Sequence, residues 1–322
     1  MPGITALRER FADATITLVI ARECAELLPA ISGIDRCFIV RRNVRDLATL
    51  FALAREKFDY CIDLTENDRS ALLTFLSGAT RRIVSRRVKA HSQKRARIYN
   101  QFADVRLIEM HTLDYNLGLL APLGITGASP KLHLELPPSA EQRAGQLLRA
   151  HNIEKPFIVF HPGSARMEKF WQPERWAEVI ARVRQQCGVS MVITGGNWSF
   201  EREHIRAIKA KAGGEIVDLS GQTDLLTFIA LIARASLLVT VDSAAMHLAA
   251  AQGIPQVALF GPTNPFHWRP RESPALILHG DSPLPVTEFL PKRERLPMNQ
   301  ISTEAVFNAM GSLLSAPAAR VS

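Results

Sequence analysis

Leu237-Leu238-Val239-Thr240-Val241-Asp242-Ser243-Ala244-Ala245-Met246-His247-Leu248-Ala249-Ala250-Ala251-Gln252-Gly253-Ile254-Pro255 is the stretch whose reading decides the fold. It opens as a β-branched, apolar run of strand type and turns at Asp242-Ser243. Alanines and a leucine follow, a helix-forming composition that Gly253 and Pro255 bring to a stop. Strand, tight turn and helix together offer unbonded backbone N–H groups and a positive dipole end to an anion. Asp242 and Ser243 can cap the helix and use those groups up. They can equally leave them to a ribose or a phosphate.

Outward from this unit, strands and helices alternate. Strand patterns cover 15–20, 36–40, 60–64 and 82–84 in the first half, and 157–161, 190–194, 216–219 and 256–260 in the second. Helical patterns fall between them at 25–28, 44–57, 69–76, 111–123, 140–150, 173–183, 201–212 and 224–235. Such alternation predicts an α/β protein with mostly parallel sheets covered on both faces. At 322 residues two domains are expected. Residues 126–138, with Gly127, Pro130, Pro137 and Pro138, have little periodicity and read as the linker. The expected division is therefore 1–138, 139–302, and a helix and tail at 303–322 that packs back on the first domain. Residues 1–11 read as the inside of a helix with no strand before it. An α/β domain opens with a strand, so the first domain is expected to lack its first one, to expose sheet edges and to be poorly soluble.

Composition narrows the partners. A net charge of +8 and a pI near 9.6 favour an anionic ligand or surface. Cys24, Cys37, Cys61 and Cys187 are scattered, which points to a reducing compartment. Asn197-Trp198-Ser199 fits a glycosylation triplet by chance in such a chain. No apolar run reaches the roughly 18 residues a membrane span needs, and the start lacks the form of a signal peptide. From Arg81 to Arg97 the chain carries Arg81, Arg82, Arg86, Arg87, Lys89, Lys94, Arg95 and Arg97 without one acid. That run is either a solvated face or a docking surface for a polyanion. Only Tyr99 and Phe102 accompany it, too few aromatic residues for a nucleic-acid stacking platform, so nucleic acid is not an expected partner.

In the second half every strand exits into a loop rich in Gly, Ser, Thr or Pro. In an open parallel sheet those exits share one edge, where ligands bind. They carry Ser164 and Lys169, Gly195-Gly196 with Glu201 beyond, Leu219 with Ser220, Asp242 with Ser243 and His247, and Thr263 with Asn264. Lys169 is either solvated or placed to neutralise a diphosphate. Glu201 either stabilises the first turn of its helix or accepts from ribose hydroxyls. His247, four residues after Ser243, faces back toward the turn or simply packs. Gly195-Gly196 is not the Gly-x-Gly-x-x-Gly dinucleotide fingerprint. No metal-ligand spacing stands out, so neither a metal nor a cofactor is expected.

These loops resemble the heptosyltransferases of glycosyltransferase family 9. The resemblance is carried by Phe157-Ile158-Val159-Phe160-His161-Pro162-Gly163-Ser164, Lys169-Phe170-Trp171, Thr194-Gly195-Gly196 and Asp218-Leu219-Ser220-Gly221-Gln222-Thr223. Val241 to Ala251 and Leu259-Phe260-Gly261-Pro262-Thr263-Asn264-Pro265 complete it. The first half matches more loosely, at Asp63, Arg69-Ser70 and His111. The resemblance implies two Rossmann-like domains facing a cleft, the GT-B type. It also implies transfer of a heptose-like sugar from an ADP-sugar to the inner core of lipopolysaccharide, inverting and metal-independent, beside the cytoplasmic membrane. Carried over by motif, Ser164 and Lys169 would hold the donor phosphates, and Lys169 would stabilise the leaving group. Glu201 would bind ribose, Leu219 would lie by the adenine, and Asp242, Ser243, Ala244 and His247 would hold sugar and diphosphate. The family often has Gly where Ala244 stands, and a methyl there limits the backbone's approach to a phosphate. Arg69, Arg81, Arg82, Arg86 and Arg87 are the acceptor-side candidates.

The family's reaction needs a base for the acceptor hydroxyl, and the resemblance places that base on an Asp in the turn after the first strand, which is not in this sequence. The catalytic base is therefore unassigned. Two other readings follow: a catalytically impaired nucleotide-sugar-binding protein, and, weakly for want of the glycine fingerprint, an NAD-dependent oxidoreductase.

Overall fold

The computed structural model describes residues 1–41, 46–153 and 156–315. The chain forms two compact units, Met1–Lys131 and Leu132–Ser322, divided within the stretch expected to be a linker.

The first unit runs α1 Pro2–Arg10, β1 Thr17–Ala21, β2 Arg36–Val40, α2 Asp46–Arg55, β3 Tyr60–Ile62, α3 Asp68–Leu76, β4 Arg81–Ser85, α4 Arg87–His91, α5 Gln93–Ala96, β5 Gln101–Ala103 and α6 Thr112–Gly118. Among the described residues its strands make two separate parallel sheets, β1–β2 and β3–β4–β5. Apolar side chains of α1 and α6 pack with Ile83 of β4 as one cluster. The short helix expected at 25–28 is a longer 3₁₀ stretch, Arg22–Ala30, with Pro29 inside it. The helix expected at 111–123 divides into α6 and a 3₁₀ turn, Ala121–Leu123, closed by Gly124 in the left-handed region at φ +74°. Of the helix expected at 44–57, residues 44 and 45 lie outside the described residues.

The second unit runs α7 Pro138–Ala150, β6 Phe157–His161, α8 Pro173–Gln186, β7 Ser190–Ile193, α9 Ser199–Ala212, β8 Val217–Asp218, α10 Leu225–Arg234, β9 Leu237–Val241, α11 Ala244–Ala251, β10 Gln256–Phe260, α12 Pro265–Trp268, β11 Ala275–His279 and α13 Thr303–Ser315. Six strands form one sheet in the order β11-β10-β9-β6-β7-β8, every neighbouring pair parallel. Strands β9 and β10 are buried along their whole length, as the continuous apolar runs of a doubly covered parallel sheet require. The core fills the space between this sheet and α8, α9 and α13, with Trp171 and Trp176 meeting edge to face at 5.2 Å. Helix α13 supplies Ala305, Val306, Ala309 and Met310 to that core, and residues 316–322 of the expected tail lie outside the described residues.

Strand order reverses between β6 and β9. From β6 the chain builds outward through β7 and β8, and from β9 through β10 and β11. At such a switch point the two exit loops diverge and leave a crevice for a ligand. Ser164 follows one of these strands and Asp242 the other.

Candidate functional site

The crevice is built from backbone turns and a few polar side chains. After β9, Asp242 is buried and its Oδ2 accepts from Lys169 Nζ at 2.7 Å and from Thr263 Oγ1 at 2.5 Å. The Asp242 carbonyl also takes Lys169 Nζ at 3.3 Å and Ser164 Oγ at 3.5 Å. Loops separated by 73 and 78 residues thus meet at one residue. Ser164, Lys169, Asp242 and Thr263 are brought together as expected from their places at the strand exits.

Ser243 answers the question its turn posed. It is the N-cap of α11 in extended backbone, yet its side chain makes no capping bond. Its Oγ pairs with Thr240 Oγ1 at 3.1 Å instead. Asp242 is likewise spent on Lys169 and Thr263. The N–H groups of the first turn of α11 therefore keep their capacity to bind an anion, reinforced by the helix dipole. Ala244, the first residue of the helix, is exposed beside them. One turn on, His247 is half-buried, and burial holds its imidazole below the ordinary range. Asp242 pulls the other way and Lys169 pushes down. At neutral pH the ring is uncharged and offers one N–H.

Glu201 sits in the first turn of α9 and is only 4 % exposed. Burial raises its carboxyl above the ordinary range, against the backbone N–H of Gly196, which favours the charged form. Its carboxylate lies against bare backbone: a methyl on Gly163 would overlap Oε1, and one on Gly196 would stand 2.7 Å from Oε2. That is the physical reason for glycine after β6 and β7, and it fixes the carboxylate between the exits of these two strands. Leu219 has its side chain buried and its N–H bonded to Ile193 O at 2.9 Å. What this loop can present to a ligand is backbone, since the Ser220 hydroxyl is buried as well. Asn264 is committed to the chain: Oδ1 caps α12 at Phe266 N, and Nδ2 donates to the carbonyls of Leu290 and Pro291.

The acceptor-side arginines do not form one patch. Arg81 and Arg82 stand at the start of β4, Arg86 and Arg87 just past its end. Ile83, Val84 and Ser85 lie between the pairs, a span of about 13 Å from Arg82 to Arg86. Arg82 is a structural clasp, donating to Ile98 O at 2.5 Å and Ala79 O at 2.8 Å. Arg81 covers the Tyr60 ring, and Arg69 is paired with Asp46 at 2.5 Å. Arg86 and Arg87 remain exposed at the exit edge, 3.8 Å from Asp104 and 4.0 Å from Glu66.

The loop after β3 holds a network that the sequence did not show. Asp63 is buried and accepts from Thr65 N, Glu66 N and, at 2.5 Å, Tyr99 Oη. Glu66 has φ +60°, unusual for a side-chain-bearing residue, and accepts from Ser85 N and Tyr115 Oη. Burial, with these carboxylates beside them, pushes the Tyr99 and Tyr115 phenols up, Tyr115 to about 12. The signal available in sequence was Asp63-Leu64-Thr65-Glu66 after a strand. Its partners lie 36 and 49 residues on, beyond any local pattern.

Comparison with known proteins agrees with this layout. Lipopolysaccharide heptosyltransferase 3 of Escherichia coli is 25% identical over 286 residues, covering 84% of this chain and 81% of the relative. The protein of the same name from strain K12 is 27% identical, covering 84% and 80%. Among solved structures, a glycosyl transferase family 9 protein from Veillonella parvula superposes with a TM-score of 0.84 at 24% identity, covering 97% of this chain and 92% of the other. The E. coli ADP-heptose LPS heptosyltransferase II gives 0.73 at 21% identity, covering 97% and 93%. The fold is thus the GT-B-type α/β architecture of these enzymes. Residues 48–285 match glycosyltransferase family 9 (heptosyltransferase), and the chain belongs to that family of glycosyltransferases.

Proposed function

We propose that this glycosyltransferase moves a heptose-like sugar from an ADP-sugar to the inner core of lipopolysaccharide, with inversion at the anomeric carbon and without a metal ion. The observation that carries the reading is the uncapped N-terminus of α11 beside Lys169 Nζ, itself 2.7 Å from Asp242 Oδ2. A departing ADP carries its new negative charge on the diphosphate. Helix N–H groups and a lysine ammonium already fixed in place stabilise that charge as the bond to the sugar breaks. The acceptor hydroxyl attacks from the opposite face, and its proton passes to a base. Glu201, held against Gly163 and Gly196, suits a ribose diol, and neutral His247 donates to a phosphate or sugar oxygen. Arg86 and Arg87, exposed at the β4 exit, suit the phosphates of an anionic glycolipid. Relatives named as lipopolysaccharide heptosyltransferases, and an E. coli heptosyltransferase solved with ADP, support the donor and acceptor classes.

A second reading, a nucleotide-sugar binder without transfer, is favoured by one observation. Asp63 and Glu66, the carboxylates at the β3 exit, are both engaged by hydrogen bonds to N–H and phenol groups. Incubation with ADP-heptose and heptose-deficient core lipid separates the readings. Release of ADP with stoichiometric sugar on the lipid supports transfer. ADP bound in calorimetry with no product supports the binder, and neither result would discard both.

A further inference from the structure

The surface of the first unit carries an apolar face that nothing in the fold explains. Helix α2 reads Asp-Leu-Ala-Thr-Leu-Phe-Ala-Leu-Ala-Arg, with no charge between its first and last residues. A helix with one buried stripe ordinarily carries charges on its outer side. Here only Asp46 and Leu53 are buried, while Leu47 is 68% and Phe51 64% exposed. Helix α3 packs beside it and adds Phe75, 63% exposed, and Leu72. The Arg69–Asp46 ion pair, at 2.5 Å, joins the first turns of the two helices. Single exposed apolar residues are normal; Leu47 and Phe51 one turn apart on α2, with Leu72 and Phe75 one turn apart on the helix packed beside it, mark an interaction surface.

The neighbouring segment decides the partner. Arg95 of α5 reaches Asp68 in the first turn of α3 at 3.1 Å and the Glu66 carbonyl at 2.5 Å, fastening the basic α4–α5 segment against α3. That segment exposes Lys89, Lys94 and Arg97. Phe51 also carries the Arg55 guanidinium over its ring at 5.4 Å. Aromatic and aliphatic side chains flanked by cations are the composition of an interfacial element that enters the headgroup layer of an anionic bilayer. A second copy of the chain would bring the same cations face to face.

We propose that the outer faces of α2 and α3 dock this protein on an anionic lipid bilayer, with Leu47, Phe51, Leu72 and Phe75 entering the headgroup region and α4–α5 resting on lipid phosphates. The inference takes from the proposed function only that the acceptor is lipid-linked, and its test uses no acceptor. The full chain is sedimented with vesicles of phosphatidylethanolamine and phosphatidylglycerol, and with vesicles of phosphatidylcholine alone. Expected is binding to the anionic vesicles, at least tenfold weaker binding to phosphatidylcholine, and a fall with added salt. The triple variant L47S/F51S/F75S should lose at least tenfold of the anionic binding. The variant K94E/R97E should lose binding chiefly at low salt. Circular dichroism confirms that both variants fold. Equal binding by wild type and a folded triple variant, no binding by wild type, or a dimer in light scattering that the triple variant dissolves would each overturn the proposal. Turnover on a delipidated core oligosaccharide, unchanged in the triple variant, reports separately on the transferase reading.

Discussion

Lys169 and Asp242 neutralise each other at 2.7 Å, and each is largely shielded from water. Removing the lysine therefore does two things. It leaves a buried carboxylate with Thr263 as its remaining side-chain partner, and it takes away the cation nearest the helix N-terminus. For Lys169→Ala the expected loss of stability is about 3 kcal/mol, read from denaturant midpoints. The expected loss in turnover is about 10²-fold, larger than any rise in acceptor KM. Wild-type turnover in this variant would remove Lys169 from the leaving-group role. A second residue-scale consequence concerns glycine. Since a Cβ on Gly163 would overlap the Glu201 carboxylate, Gly163→Ala must push that carboxylate aside. Donor KM should rise at least tenfold with acceptor KM unchanged, and steady-state kinetics with each substrate varied in turn checks it. These contacts were legible only as residue types at strand exits. Nothing local in the sequence tells that Lys169 meets Asp242 across 73 residues, or that Asp242 and Ser243 leave the helix uncapped.

Helix α11 is the element on which donor binding turns. Ala244, at its first position and exposed, puts a methyl beside the N–H groups that would receive a phosphate. Ala244→Gly should let the diphosphate approach more closely and lower donor KM a few-fold, while helix propensity costs the fold up to about 1 kcal/mol. Donor titrations and thermal unfolding of the same sample test both halves; an unchanged or raised KM would show that the methyl is no obstacle. Elements of this kind were the most readable part of the chain. Strands β6, β9 and β10 match their expected limits because a fully buried parallel strand is a continuous apolar run ended by turn residues. Strand β5, Gln101–Ala103, escaped for the opposite reason, being three residues long behind the basic run. Helices α4 and α5 were hidden in that same run, where charge dominates and apolar period is short. Strand β11, Ala275–His279, is an apolar run of the expected kind, beyond the last loop that bore on the site.

At the scale of the whole molecule, His161 and His204 are expected to weaken the fold in acid. Burial pushes His161 and His204 down to about 4, from an ordinary value of 6.5. The unfolded chain then binds protons before the folded one as pH falls. The stability these neutral rings permit is complete above about pH 6.5 and is lost progressively toward pH 4. For His161 the shift corresponds to about 3 kcal/mol. Urea midpoints should fall between pH 7 and pH 4.5, and His161→Gln should flatten that fall; a variant with the same pH slope as wild type would contradict it. Fold class and the family were readable from the order of loops along the chain. The split of the arginine run across the two ends of β4 was not, because a strand's ends are close in sequence and far apart in space. The most direct test of the donor site is isothermal titration of ADP into the full chain and into Gly163→Ala and Lys169→Ala. One-to-one binding by wild type, weakened at least tenfold in each variant, is the predicted result. No binding of ADP by wild type, or equal binding by all three, would contradict it.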